Sequence, residues 1–177
     1  VGIPMQVAVE GLREARGVKG RIEVVETGRD FSVIIDYAHT PDGLYNVIQT
    51  IRGFAKGRII TLFGCGGDRD AGKRPKMGRI ASAMSDFCVV TSDNPRTEDP
   101  EKIIEDILVG VKDGGGKYVV VVNRFSAIEY ALDHAQKDDI VLLAGKGHET
   151  YQILGDRTID FDEREIVRKL LDTSAHA

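Results

Sequence analysis

Four short stretches and one further arginine gather the side chains of this sequence that could bind or react. AGKGHETYQ, residues 144–152, sets Lys146, His148 and Glu149 among two glycines. Glycine lets a backbone approach a ligand closely, and a merely solvated loop seldom brings three titratable types together. His148 has no second His or Cys at zinc-ligand spacing, so a metal role is not read into it. TSDNPRTEDP, residues 91–100, places Arg96 among acids and prolines. Asp93 and Asn94 suit an Asx-type turn into Pro95, and Thr97 or Asp99 suits a cap for a helix starting near Pro100. Nothing in such a turn requires a guanidinium, whereas its rigid fork matches a carboxylate.

GCGGDRDAGKRP, residues 64–75, carries Gly67, Gly72 and Lys73 at the spacing of a phosphate loop. Arg74 stands where a hydroxyl should meet magnesium, and Asp68 and Asp70 stand where amides should cradle phosphate. Three readings stay open: a phosphate loop, a glycine turn before a helix with Pro75 in its first turn, and a loop presenting Arg69 to an anion. DYAHTPDG, residues 36–43, offers Asp36 and His39. They suit a helix cap and a surface group, or a carboxylate on a ribose with His39 near phosphates. Arg21 lies fifteen residues before Asp36, as an exposed strand charge or a partner of that site.

The elements that must position these loops alternate in period. RIEVVE and FSVIIDY flank the turn TGRD as a strand pair, and DGLYNVIQTIRGFA follows as a helix. Strand, loop and helix then repeat: RIITLFG to GRIASAMS, FCVVTS to PEKIIEDILVGV, YVVVVN to SAIEYALDHA, and IVLLAG to a helix near FDEREIVRKLLD. IITLF, VVVV and IVLL read as buried parallel strands. The order predicts an α/β, Rossmann-like, doubly wound and mainly parallel sheet with helices on both faces. Ligands in such folds sit beyond the carboxyl ends of the strands, where these loops fall. Pro4 to Glu14 reads as a further helix before the Gly-punctuated turn GVKGR.

A chain of 177 residues fits one domain with a real core. A net charge of -4 without a polybasic face argues against nucleic acid and anionic membrane as partners. Cys65 and Cys88 are too few for a disulfide framework and form no CxxC pair, which fits a reducing cytoplasm. No apolar run approaches the roughly 20 residues that span a bilayer, and VGIPMQVAVEGL lacks the pattern of a secretion signal. The start at Val1 rather than Met leads us to expect a piece of a longer protein.

In order along the chain, RIEVVE, DYAHTPDGL, GCGGDRDAGKRPKMG, TSDNPRTEDP and AGKGHETYQI resemble the C-terminal domain of the Mur ligases, and most closely that of the members adding meso-diaminopimelate. The resemblance implies a three-domain enzyme of cytoplasmic peptidoglycan precursor synthesis. Its N-terminal domain holds a UDP-sugar, its central domain carries the phosphate loop and magnesium ligands, and its C-terminal domain presents the incoming amino acid. On this reading residues 1–17 are a tail of the central domain or a linker, and residues 18–177 are the C-terminal domain. ATP and Mg2+ are expected in the full enzyme, with no metal ligand in this chain and no turnover by it alone.

Carried over by similarity, Arg21 reaches the ATP phosphates as the catalytic arginine, Asp36 holds the ribose, and Tyr37 and His39 complete the nucleotide side. Arg69, Asp93, Asn94, Pro95, Arg96, Gly145 and Glu149 fall to meso-diaminopimelate. Arg96 would pair in two-pronged fashion with the distal carboxylate, and Asp93 and Glu149 would accept from ammonium groups. UDP-N-acetylmuramoyl-dipeptide is the implied acceptor. The alternatives are a lysine-adding muramoyl ligase, a folylpolyglutamate-type ligase, and a non-catalytic nucleotide- or amino-acid-binding module.

Overall fold

Ile34 turns to one face of a sheet and its neighbours Val33 and Ile35 to the other, and the split recurs along every central strand. Alternation is a geometric property of the strand, so a run that is apolar at every position must be covered on both sides. The computed structural model describes residues 2, 4–7, 9 and 17–173. Its main sheet comprises β1 (Glu23–Val25), β2 (Ser32–Asp36), β3 (Ile59–Phe63), β4 (Phe87–Val90), β5 (Tyr118–Val120) and β6 (Ile140–Ala144). The spatial order is β1-β2-β6-β3-β4-β5, parallel throughout except for β1, which pairs antiparallel with β2.

One face is covered by α1 (Pro41–Arg52), α2 (Lys73–Met84) and α3 (Pro100–Gly114), the other by α4 (Arg124–Asp133) and α5 (Glu163–Thr173). Local chemistry fixes where these helices begin. Thr40 caps α1 by accepting from Gly43 N at 3.1 Å, Asp99 caps α3 from Glu101 N at 2.9 Å, and Asn123 caps α4 from Ser126 N at 3.1 Å. Pro41 and Pro100 follow two of these caps, where a missing N–H costs nothing. Each cap stands just beyond a loop that leaves the sheet, so the caps also set where the loops end.

The expected fold holds, with three differences. VVVV is not a buried strand: β5 lies at the sheet edge, pairs only with β4, and leaves Tyr118 and Val120 exposed. β-Branched composition reports pairing as well as burial. A separate hairpin, β7 (Tyr151–Leu154) with β8 (Arg157–Asp160), occupies a stretch read only as loop. The helix expected over Pro4–Glu14 lies largely outside the described residues. Among the described residues no helix is long and apolar enough to cross a membrane.

Candidate functional site

Two cavities open beyond the carboxyl ends of the parallel strands and share Tyr37, His39 and Thr40 as a common wall. The smaller, about 260 Å³, is lined by Arg21, Asp36, Tyr37 and His39 together with the first turns of α1. The Arg21 guanidinium lies over the Tyr37 ring, 5.1 Å from its centroid, and the Tyr37 ring also meets His39 at 4.4 Å and His148 at 4.8 Å. Asp36 is buried, and its Oδ2 accepts from Ile22 N at 2.8 Å. That bond ties the Arg21 segment to the end of β2. It holds Ile22 at φ +42, a left-handed backbone that a β-branched residue rarely adopts. All four residues that the resemblance assigns to ATP therefore converge on one cavity.

The larger cavity, about 500 Å³, is lined by Arg69, Asp93, Asn94, Arg96, Gly145 and Glu149. These are six of the seven residues that the resemblance assigns to the amino acid. Pro95, the seventh, is buried behind them and does not line it. The lining carries charges of both signs. A Cβ on Gly66 would stand 2.9 Å from Arg96 Nη1 and 3.9 Å from Arg69 Cγ, so the two arginines flank that glycine. A Cβ on Gly145 would stand 3.2 Å from Asp93 Oδ2, and Glu149 Oε2 accepts from Asn94 Nδ2 at 2.9 Å. Asp70 and Lys73 line the cavity as well, so side chains of both signs face one space, an arrangement suited to a zwitterion. Burial, followed by the charges of Glu149, Tyr151 and Asp93, pushes the Tyr37 hydroxyl above the ordinary tyrosine value, against Arg21.

The loop carrying Arg96 is built differently from the expected turn. Asn94 Oδ1 does not turn back on its own backbone; it accepts from Lys146 Nζ and from Ile153 N, both at 3.0 Å. Gln152 Nε2 donates to Asp93 O at 2.6 Å. Arg96 N donates to Ile153 O, and Arg96 O accepts from Gly155 N. The β7–β8 hairpin is thus laid along residues 93–96 and holds Arg96 at φ +52. The Arg96 guanidinium donates through Nη1 to Gly67 O at 2.8 Å and more weakly to Asn94 O at 3.4 Å. Of the two capping candidates Asp99 serves, whereas Thr97 instead donates to Asp68 Oδ1 at 2.8 Å.

The phosphate-loop reading of residues 67–73 fails on geometry. Asp68 N donates to Glu98 Oε1 at 2.5 Å and Gly72 N to Asp70 Oδ1 at 2.8 Å, so these amides serve the chain's own carboxylates. Arg74, which occupies the hydroxyl position, is buried and pairs with Glu98 and Asp106 at 2.8 and 2.9 Å. It clamps the loop instead of facing a metal. Lys73 Nζ donates to His39 O at 2.6 Å and lines the larger cavity. Among the described residues no group of three or more His, Cys, Asp or Glu could hold a metal ion. Both thiols are buried, and burial pushes each up to about 12.

Several supports were not legible as functional residues. Arg124 and Glu163 are both fully buried and paired at 2.8 Å, and Arg124 donates to Ala144 O and Ser92 O, immediately before Gly145 and Asp93. Arg164 donates to Gly147 O at 2.9 Å and pairs with Glu23 at 2.5 Å, while Glu23 accepts from Gly20 N at 2.6 Å. The start of α5 therefore buttresses both cavities. Its only sequence signal is a pair of charges, Glu163 and Arg164, at the head of an amphipathic helix.

A family described as "Mur ligase, glutamate ligase domain" matches residues 20–147. The chain is 56% identical over 174 residues to UDP-N-acetylmuramoyl-L-alanyl-D-glutamate--2,6-diaminopimelate ligase of Caldanaerobacter subterraneus subsp. tengcongensis, covering 98% of this chain and 36% of that protein. It is 54% identical to the ligase of the same description from Clostridioides difficile strain 630, with 97% and 35% covered. Among solved structures it is similar to one of a UDP-N-acetylmuramoyl-L-alanyl-D-glutamate--2,6-diaminopimelate ligase, with a TM-score of 0.85 at 39% identity over 99% of this chain and 36% of the other. The chain spans about a third of the length of the curated relatives it matches.

Proposed function

The chain belongs to the Mur ligase family, and from that premise we propose that it is the amino-acid-presenting domain of an ATP-dependent ligase joining meso-diaminopimelate to UDP-N-acetylmuramoyl-L-alanyl-D-glutamate. In this proposal residues 18–177 form that domain, and the tail before them leads from a central ATPase domain. The observation that carries it is the larger cavity, where Arg69 and Arg96, which flank Gly66, share one space with Asp93 and Glu149. Meso-diaminopimelate ends in a second amino-acid centre, one ammonium and one carboxylate, and a cavity lined by charges of both signs complements both. Lysine ends in an ammonium alone and would leave the arginines unpaired.

In the reaction the terminal carboxylate of the dipeptide takes a phosphoryl group from ATP. The diaminopimelate amine then attacks the acyl carbon; a C–N bond forms, phosphate leaves, and the amine gives up a proton. This domain's residues orient and neutralise and do not break bonds. Asp36 receives the ribose, Arg21 meets the phosphates, and the shared wall of Tyr37 and His39 sets nucleotide and amino acid side by side. Magnesium accompanies ATP, and no described residue set of this chain fits it, so it is given no ligand here.

The test is ligation by the full-length protein with ATP and UDP-N-acetylmuramoyl-dipeptide. Meso-diaminopimelate should be incorporated with ADP formed in equal amount and preferred over L-lysine by at least about a hundredfold in kcat/KM, since a site built for a polar group rejects an analogue lacking it. Equal or better use of lysine would overturn the reading.

A further inference from the structure

Lys146 follows Gly145 in the chain, yet it lines neither cavity and its side chain is 0% exposed. Its partners all line the larger one. Nζ donates to Asn94 Oδ1 at 3.0 Å and to Tyr151 O at 2.7 Å, and stands 3.3 Å from Asp93 Oδ1 and 3.8 Å from Glu149 Oε2. The rings of Tyr151 and Phe161 close it in, with centroids 6.0 and 5.6 Å away. Arg124 and Glu163 lie beyond, already paired with each other.

Burying an ammonium is costly, and an apolar stem of the same length would fill this space without that cost. Two features show what the charge supplies. Asp93 Oδ1 is buried with no hydrogen bond, so the ammonium at 3.3 Å is its counter-charge. An ammonium can only donate, as can the Ile153 N–H that shares the same acceptor, so together they turn the oxygen of the Asn94 amide toward Lys146 and its Nδ2 away. Nδ2 then meets Glu149 Oε2 at 2.9 Å. Burial pulls the Lys146 ammonium below the ordinary lysine value; Asp93 opposes this, Arg124 adds to it, and Glu163 and Glu149 oppose it.

We propose that Lys146 is a positioning residue for amino-acid binding: from behind the wall it lets two carboxylates stand together on one side of the cavity and, through the Asn94 amide, fixes where Glu149 points. This rests on the reading of the larger cavity as the amino-acid site.

The experiment is steady-state ligation by the full-length enzyme carrying Lys146→Met, with KM measured separately for meso-diaminopimelate and ATP. The expected result is a rise of at least about tenfold in KM for diaminopimelate, with kcat and KM for ATP within about threefold of the parent. Unchanged kinetics, or equal losses for both substrates with a lowered melting temperature, would overturn the proposal. Should Lys146→Met fail to fold, Asp93→Asn/Lys146→Met removes the buried imbalance: recovery of folding supports the charge pairing, and continued failure overturns it. Parent enzyme that ligates no diaminopimelate removes the underlying reading and this proposal with it; parent that does so beside an indifferent Lys146→Met removes this proposal alone.

Discussion

Two cavities of this molecule each enclose about 500 Å³, and they differ in what lines them. One, beside α4 and the last turns of α5, is walled by Phe31, Phe125, Leu132, Leu170 and Leu171 with charges at its margin. The other, beyond the strand ends, is walled by Arg69, Arg96, Asp93 and Glu149 on loops from β3, β4 and β6. Volume does not separate them. What does is the convergence, on one space, of opposite charges borne by different loops and held by buried residues behind them. Parallel topology explains the convergence, because every strand in the set ends on the same side. The apolar cavity takes its charges mainly from helices, Glu129 and Asp133 on α4 and Lys169 on α5, while Arg29 of the β1–β2 turn donates to Leu171 O at 3.1 Å.

The largest expected effect comes from removing the cation that marks the second cavity. Arg96→Ala in the full-length enzyme should lower kcat/KM for meso-diaminopimelate roughly 30- to several-thousand-fold, the equivalent of about 2–5 kcal/mol for a charged pair in a closed site. KM for ATP should stay within about threefold. Arg96→Lys should recover little, since a point charge cannot form two parallel bonds. L-lysine, which lacks the distal carboxylate, is the control. Because Arg96 also donates to Gly67 O, an equal loss on lysine would mean that the guanidinium mainly holds the loop. The contrast between the cavities would then lose its chief support.

Much of that contrast was legible in the sequence. The continuous apolar runs, the cap at Asp99 and the charged loops after each strand together predict a parallel sheet with its site beyond the strand ends. Long-range pairing was not legible. The clamp of Arg74 on Glu98 and Asp106 and the burial of Lys146 depend on loops that meet only after folding. The β7–β8 hairpin did leave a local signal: Gly155-Asp156 between YQIL and RTID is a two-residue turn between β-prone runs. Arg96 at φ +52 left none, because only the hairpin laid against it requires that backbone.

A smaller effect is expected where the smaller cavity meets its neighbour. Asp36→Asn keeps an oxygen for Ile22 N but loses the charge, and should raise KM for ATP by about tenfold while KM for diaminopimelate moves less than about threefold. Titrating each substrate against saturating amounts of the other separates the two. A change confined to diaminopimelate would show that the shared wall of Tyr37 and His39 does not divide nucleotide from amino acid.

Asp139 lies outside both cavities and tests whether a buried carboxylate need be functional. Burial pushes it up, but hydrogen bonds from the Arg58 guanidinium and from Gln136 N and Arg58 N prevail and hold it below the usual aspartate value. A folded value below the unfolded one gives stability that is present above about pH 4 and lost as pH falls through the folded value. Asp139→Ala should therefore cost about 1–3 kcal/mol at pH 7. The gap between variant and parent should close in acid, as followed by urea melts across pH 3 to 7, with ligation kinetics unaltered. A gap that widened in acid would contradict the pairing.

The smallest effect is expected in the apolar cavity, and it bears most directly on the comparison. Phe125 is half-buried on its wall, and Phe125→Trp adds a ring's worth of volume into open space without adding or removing a charge. Substitution at a site with room costs little, so stability should change by no more than about 0.5 kcal/mol. Both Michaelis constants of the full-length enzyme should stay within about twofold. A cavity that takes part in binding would respond otherwise, because partial filling removes contact area from whatever occupies it. A tenfold rise in KM for either substrate on Phe125→Trp, with the melting temperature unchanged, would mean that a ligand or a moving domain uses this space. Convergent charge would then be too narrow a criterion for a functional cavity in this fold.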